Sequence, residues 1–326
     1  CPQERPLRGR LGLLRQAAAQ TASTAEARAD ASRLDFEAGL RLAFTDLLLA
    51  QERAAALEAG VAELGRLVDV LRAREEEGEG SRFDRLRTER EVADIETDLQ
   101  AADIERATAQ ARLASFLGPA ADPGSLSAAG PLLDGTFIAS AGELVDEALA
   151  QRSDYRALTL GESRWTTERR AAERLRLPTT AVTGGLKRSG SSLARESGYV
   201  IAATIGVPLF NRGQQQVARA EAARARTGAQ RDALRTRIEG EVRAAHAEAS
   251  RYRALAERYR GESVEPAAEL ADIATAAYEE GEYGILELLD AHRVVLGAEL
   301  RLLELSAAAR RAAINLDLAV GREVAP

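Results

Sequence analysis

Residues 199–213 read YVIAATIGVPLFNRG. Tyr199, Ile201, Ala203, Ile205, Val207 and Leu209 fall on every second position, the period of an extended strand with one apolar face. Upstream, Thr179 to Lys187 also alternates, setting Val182, Gly184 and Leu186 against Ala181, Thr183 and Gly185. The polar stretch from Arg188 to Ser197 reads as the loop between them. The spacing predicts a hairpin near 179–209 whose strands, at roughly 9 to 11 residues each, match the length that crosses a bilayer at barrel tilt. Two such strands cannot close a barrel.

On both sides of this pair the pattern is helical. No proline interrupts Gly9 to about Glu77, and Leu57, Val61, Leu64, Val68 and Leu71 step by four and three, the seam of a coiled coil. At about 1.5 Å per residue such a helix is on the order of 100 Å long. Gly78 and Gly80 break it, and a second helix is predicted from Arg82 to Leu117, stopped by Gly118-Pro119. So short a turn makes the two helices antiparallel neighbours. Residues 119–140 are rich in Pro, Gly and Ser and read as a connection, after which helix is expected from about Ala141 to Leu177, where Pro178 ends it. After Gly213 a second very long helical stretch runs to Glu280, and a last helix from Ile285 to Val320, stopped by Gly321. Pro266 lies inside the stretch that ends at Glu280, where a kink or a restart capped by Ser263 is expected.

The halves are in register. Gly78 and Gly281 lie 203 residues apart, as do Gly118 and Gly321, Phe83 and Leu286, and Asp84 and Glu287; Pro6-Leu7 and Pro208-Leu209 lie 202 apart. Equal offsets at turns and ends indicate an internal duplication. The expected organisation is a first repeat over 1–118, a connecting segment over 119–140, and a second repeat over 141–326. The fold class is mainly α: long antiparallel coiled-coil hairpins in tandem, with a small β contribution.

Composition agrees with long helices. Of 326 residues, 45% are apolar but only 4% aromatic, and much of the apolar share is alanine, which buries little area per residue. The length fits about two domains or one elongated body. A net charge of -7 spread along the chain argues against a nucleic-acid partner. One cysteine cannot form an internal disulfide, and no apolar run approaches the ~18 to 20 residues of a membrane helix. The chain opens on Cys1 rather than Met, which reads as a processed or cut start.

The junction Val207 to Gly213, the segment Tyr278-Glu279-Glu280-Gly281-Glu282 followed by Leu286-Glu287-Leu288-Leu289-Asp290-Ala291, the terminal Ala319-Val320-Gly321 and the duplicated hairpin together resemble the TolC-type outer membrane efflux proteins. The junction Pro208, Leu209, Phe210, Asn211, Arg212 and Gly213 resembles the heavy-metal-exporting branch slightly more than the drug-exporting one. The resemblance implies a homo-oligomer, a trimer, whose strands close an outer-membrane β-barrel continued by a helical barrel in the periplasm. It implies a passive exit duct for small toxic compounds or metal ions, with a periplasmic adaptor, an inner membrane pump and outer membrane lipid as partners. It also implies a helix and a strand ahead of the first long helix, so the chain reads as N-terminally incomplete.

The same resemblance assigns site residues. The turns Gly78, Glu79, Gly80, Ser81 and Gly281, Glu282, Tyr283, Gly284 become adaptor-docking tips, although any helical hairpin needs such turns. The acidic aperture falls on Glu287 and Asp290, which share a helix face at i and i+3; a solvated surface pair is the plainer alternative. Cys1 is the residue a lipid would modify. No cofactor, metal site or enzyme activity is expected: His246 and His292 lack carboxylates at helical spacing, and Gly184 to Gly190 lacks the lysine position of a phosphate loop. The rival reading is a soluble periplasmic adaptor or coiled-coil scaffold. The strand pair separates the two, because an adaptor flanks a single hairpin with several short soluble strands.

Overall fold

The computed structural model describes residues 9–133, 139–191 and 194–322. Helix α1 (Arg10–Glu76) and α2 (Arg82–Leu117) come first, followed by a 3-10 turn at Pro123–Ser125, then α3 (Ala141–Gln151) and α4 (Ser153–Glu173). Strands β1 (Thr179–Ser191) and β2 (Ala194–Gly206) precede α5 (Gln214–Tyr259), a π turn (Arg260–Val264), α6 (Glu265–Glu279) and α7 (Ile285–Val320). The backbone forms two compact units. One takes the chain up to Arg33 together with Leu149–Glu239, and the other takes Leu34–Ala148 with the chain from Gly240 onward.

The second unit is a helical bundle held along the predicted seam. Leu57, Leu64 and Leu71 of α1 are buried against Ile95 and Ala102 of α2, Ala274 of α6, and Ile285, Leu288 and Leu289 of α7. A second cluster joins Ala43, Leu47 and Leu48 to Ala109 and Leu113 of α2 and Ala307 of α7, with Ala128 and Leu132 of the connection laid over it. Each fully buried leucine contributes about 2 kcal/mol of apolar transfer energy. The alanines let helix backbones approach closely, so long helices pack with few aromatic residues. Polar ties reinforce the contacts: Asp46 of α1 accepts from Arg112 of α2 at 2.8 Å and from Arg311 of α7 at 2.7 and 2.9 Å.

The first unit carries the strands. α1 and α4 are linked by Gln20 Nε2 donating to Ser163 Oγ at 3.1 Å, and α4 and α5 by Arg231 donating to Glu162 at 2.7 Å. β1 and β2 pair antiparallel along their full length, with Thr180 opposite Ile205, Val182 opposite Ala203, Gly184 opposite Ile201 and Leu186 opposite Tyr199. Directly opposed residues share a face, so Val182, Leu186, Tyr199, Ile201 and Ile205 form one continuous apolar face. All five are exposed.

Four details differ from the expectations. The predicted loop 188–197 is largely strand, because ladder hydrogen bonds come from the backbone and do not require apolar side chains. At its other end β2 stops at Gly206, leaving Val207 and Leu209 outside the strand. Its partner β1 begins at Thr179, opposite Gly206, so no paired strand remains to bond, and Pro208 has no N–H to offer. The expected single helix over 141–177 breaks at Arg152. There Arg152 and the backbone N–H of Tyr155 both donate to the Asp154 carboxylate, which starts a new helix without a Gly or Pro signal. Around Pro266 the helix neither restarts nor uses Ser263 as a cap. A π turn widens the coil, with the N–H of Glu265 donating to the carbonyl of Arg260 and making room for the proline ring.

Candidate functional site

The helix-hairpin tips are built alike. Gly78 has φ +79° and Gly281 φ +78°. The N–H of Gly78 donates to Glu75 at 3.0 Å and that of Glu79 to Arg74 at 2.9 Å; the N–H of Gly281 donates to Tyr278 at 3.1 Å and that of Glu282 to Ala277 at 2.8 Å. These are paired Schellman closures on residues offset by 203, and they need a left-handed residue that glycine supplies at little cost. A Cβ added at Gly78 or Gly281 would meet nothing within 4 Å, so both backbones face open space. Glu79, Ser81, Glu282, Tyr283 and Gly284 are exposed as well.

The tips differ in detail. Ser81 caps α2 by accepting from the N–H of Asp84 at 3.4 Å, whereas Gly284 starts α7 without a side-chain cap. A Cβ at Gly80 would fall 2.7 Å from the backbone nitrogen of Glu75, so the chain there passes too close for any side chain. Its counterpart is the exposed ring of Tyr283. Behind the first tip, Arg85 of α2 bridges Glu75 of α1 at 2.5 Å and Glu89 at 2.8 Å. These carboxylates raise the Arg85 pKa, and Arg85 in turn holds Glu89 below the usual carboxylate range.

Glu287 and Asp290 lie on the exposed face of α7, while Ile285, Leu288 and Leu289 turn into the core. Asp290 is 73% exposed, and its Oδ1 stands 4.0 Å from Arg293. That guanidinium is already taken by Glu91 of α2, through two bonds of 3.0 and 2.6 Å. Asp290 therefore keeps most of its charge available to solvent.

The junction after β2 is a folded turn. Asn211 Oδ1 accepts from the N–H of Gly213 at 3.3 Å, Gln214 Oε1 accepts from the N–H of Arg212 at 2.9 Å, and the Gly213 carbonyl accepts from Val217 at 2.9 Å as α5 begins. Gly213 has φ +82°, and a Cβ there would lie 2.7 Å from the Ala172 carbonyl and 2.9 Å from Leu175 Cβ. Pro208 lies before this turn, with Leu209 and Phe210 strongly exposed.

Cys1 and Pro6-Leu7 lie outside the described residues. His292, which the helical spacing leaves without a partner, lies 3.6 Å from Glu63 of α1, a contact between helices that no local spacing reveals. Among the described residues no group of three or more His, Cys, Asp or Glu could hold a metal ion. Among the described residues no helix is long and apolar enough to cross a membrane.

Residues 144–322, more than half of the chain, match the outer membrane efflux protein family. The chain belongs to that family. Its fold is shared by outer membrane channels of known structure. The open state of the Neisseria gonorrhoeae MtrE outer membrane channel superposes with a TM-score of 0.80 at 20% identity, over 97% of this chain and 72% of that one. The Campylobacter jejuni CmeC outer membrane channel gives 0.79 at 16% identity, over 98% and 69%. The outer membrane protein VceC of Vibrio cholerae gives 0.75 at 18%, over 98% and 77%. At these identities the likeness establishes the fold. No curated protein matches the sequence. The family makes this chain an outer membrane efflux protein, and the solved structures that share its fold are outer membrane channels.

Sequence spacing placed the two glycine turns where the helix hairpins turn, while the acidic pair and the junction were singled out by the family resemblance. It missed the polar tie of Asp46 with Arg112 and Arg311, and it missed the arginines gathered at the base of the strands. Neither has a local signature, because the partners lie tens to hundreds of residues apart. An acid at a position otherwise set by the apolar seam, such as Asp46 one residue before buried Leu47, is the one hint available.

Proposed function

We propose that this efflux protein is one protomer of a passive, oligomeric exit duct of a tripartite efflux system, a trimer, through which small toxic compounds or metal ions leave. The observation that carries the reading is the strand hairpin. Its five exposed apolar side chains on one face have no packing role inside the described chain, and a surface of that kind needs lipid or a partner to cover it. In this reading the hairpin joins those of the other protomers in a barrel, with Val182, Leu186, Tyr199, Ile201 and Ile205 toward lipid and Thr183, Gly185, Ala202 and Thr204 toward the lumen.

The helical tips Gly78 to Ser81 and Gly281 to Gly284 receive the periplasmic adaptor, which connects the duct to an inner membrane pump that supplies the energy. Bare, exposed backbone at both glycines supports this role, since a partner helix can approach without meeting a side chain. Glu287 and Asp290, repeated by symmetry, form an acidic ring that favours cations at a constriction. Cys1 is the residue that carries a lipid if the mature chain is a lipoprotein. Fractionation tests the duct: the protein is expected in the outer membrane and to need detergent for release, and recovery from the soluble periplasm would contradict it.

A further inference from the structure

A cleft of about 540 Å³ opens in the first unit at the base of the strand hairpin, within the size range of small-molecule sites. Arg10 and Leu14 of α1, Arg164 and Trp165 of α4, Leu175 in the 3-10 turn after α4, and Arg219 of α5 line it. Its charge is lopsided. Glu168 is the one acid among the described lining residues, and Arg164 already engages it at 3.1 Å while stacking over Trp165 with its guanidinium carbon 4.0 Å from the ring centre. Arg10 Nε is buried with no hydrogen-bond partner among the described residues, a cost a folded chain normally avoids.

The placement of these arginines increases the imbalance. Arg10 is the first residue of α1, and Arg219 lies in the second turn of α5. Arg10 thus sits at the positive end of its helix, where a cation is disfavoured unless an anion is near. Residues 164–176 carry five arginines against two glutamates in a chain whose net charge is -7.

The cleft is also level with the first residues of the hairpin. Ala172 and Leu175, which line it, pack against Gly213 of the junction, and β1 begins at Thr179. An apolar wall, a basic wall and the start of the lipid-facing strands thus meet in one place. We propose that this cleft holds the phosphate of an anionic phospholipid headgroup. Arg10, Arg164 and Arg219 donate to the phosphate oxygens, and Leu14, Trp165 and Leu175 cover the first carbons of the acyl chain. The inference rests on the seating of the hairpin in the bilayer proposed above.

Trp165 is the sole tryptophan, so its emission reports on the cleft. Protein purified from outer membranes is reconstituted into phosphatidylcholine nanodiscs with or without phosphatidylglycerol, and separately titrated with inorganic phosphate in phosphatidylcholine discs. The expected result is a shift of Trp165 emission to shorter wavelength with phosphatidylglycerol alone. Losing one charged contact should weaken that response at least about tenfold in Arg219→Gln, an exposed position that does not threaten folding. Arg170→Gln, on the exposed side of the same helix α4 and outside the cleft, should respond as the unmodified protein does. Equal emission in both disc types overturns the proposal, as does an unchanged response in Arg219→Gln. The same shift with inorganic phosphate overturns the lipid assignment in favour of a free-anion site. Failure to enter the discs overturns the seating of the hairpin and the headgroup site with it; entry without a lipid-specific shift overturns the headgroup site alone.

Discussion

Gly78 and Gly281 hold the same left-handed backbone, φ +79° and +78°, at the ends of two helices offset by 203 residues, and each is closed by the same pair of hydrogen bonds. The 203-residue correspondence thus extends to the bonding of the tips. Conformation and docking make different demands at these glycines. A β-branched residue strains the left-handed backbone by about 1–2 kcal/mol, whereas asparagine tolerates it. Gly281→Asn should therefore leave thermal stability near that of the parent while weakening capture of the adaptor, because its side chain projects into open space. Gly281→Val should lower both. Adaptor capture unaffected by Gly281→Asn would return the tip to a plain turn.

Gly213 is constrained from two sides, by its φ of +82° and by the Ala172 carbonyl 2.7 Å from where a Cβ would sit. Gly213→Ala combines backbone strain with overpacking and should cost about 2–4 kcal/mol locally. Limited proteolysis at the base of the hairpin should detect it as faster cleavage. A cleavage rate like that of the parent would show that the junction relaxes freely.

The acidic pair on α7 offers a sign test. Lysine at both Glu287 and Asp290 should lower the cation preference of the channel in a planar bilayer, and neutralising Asp290 alone should give an intermediate effect, since Arg293 already answers to Glu91. Unchanged selectivity would assign both carboxylates to a solvated surface.

Burial pushes the Asp317 carboxyl above its ordinary value, with Arg322 and Arg41 opposing the shift. A folded chain with a raised carboxyl pKa binds that proton more tightly than the unfolded chain does. The cost of burying the charge is then absent below the unfolded pKa and grows as pH rises through the folded one. Asp317→Asn should match the parent in acid and exceed it in thermal stability at neutral pH. A stability gap that narrows as pH rises would contradict the burial account. Asp154 has the opposite sign: burial works against its charge, but Arg152 and backbone N–H groups hold it below the usual range, so its contribution is present at neutral pH and lost in acid.

Helices were legible because their signals are local. The seam from Leu57 to Leu71 repeats within one helix, and Gly78, Gly118, Gly281 and Gly321 mark stops that a short window detects. The break at Arg152 was not legible, since a charged pair rather than a glycine or proline makes it. Neither was the outer half of the hairpin: residues such as Ser189 and Glu196 pair through their backbones, and their polarity reads as a loop. The arginine cleft was hidden for another reason. Arg10, Arg164 and Arg219 are each ordinary surface cations in sequence, and only the meeting of α1, α4 and α5 gathers them.

The proposed duct requires one face of the strand hairpin to meet lipid. In a Trp165→Phe background, single tryptophans placed in turn at 199 to 205 and reconstituted into brominated phosphatidylcholine measure that face directly. Strong quenching at 199, 201, 203 and 205 and weak quenching at 200, 202 and 204 is the predicted result. Quenching that is absent throughout, or equal at odd and even positions, would contradict it.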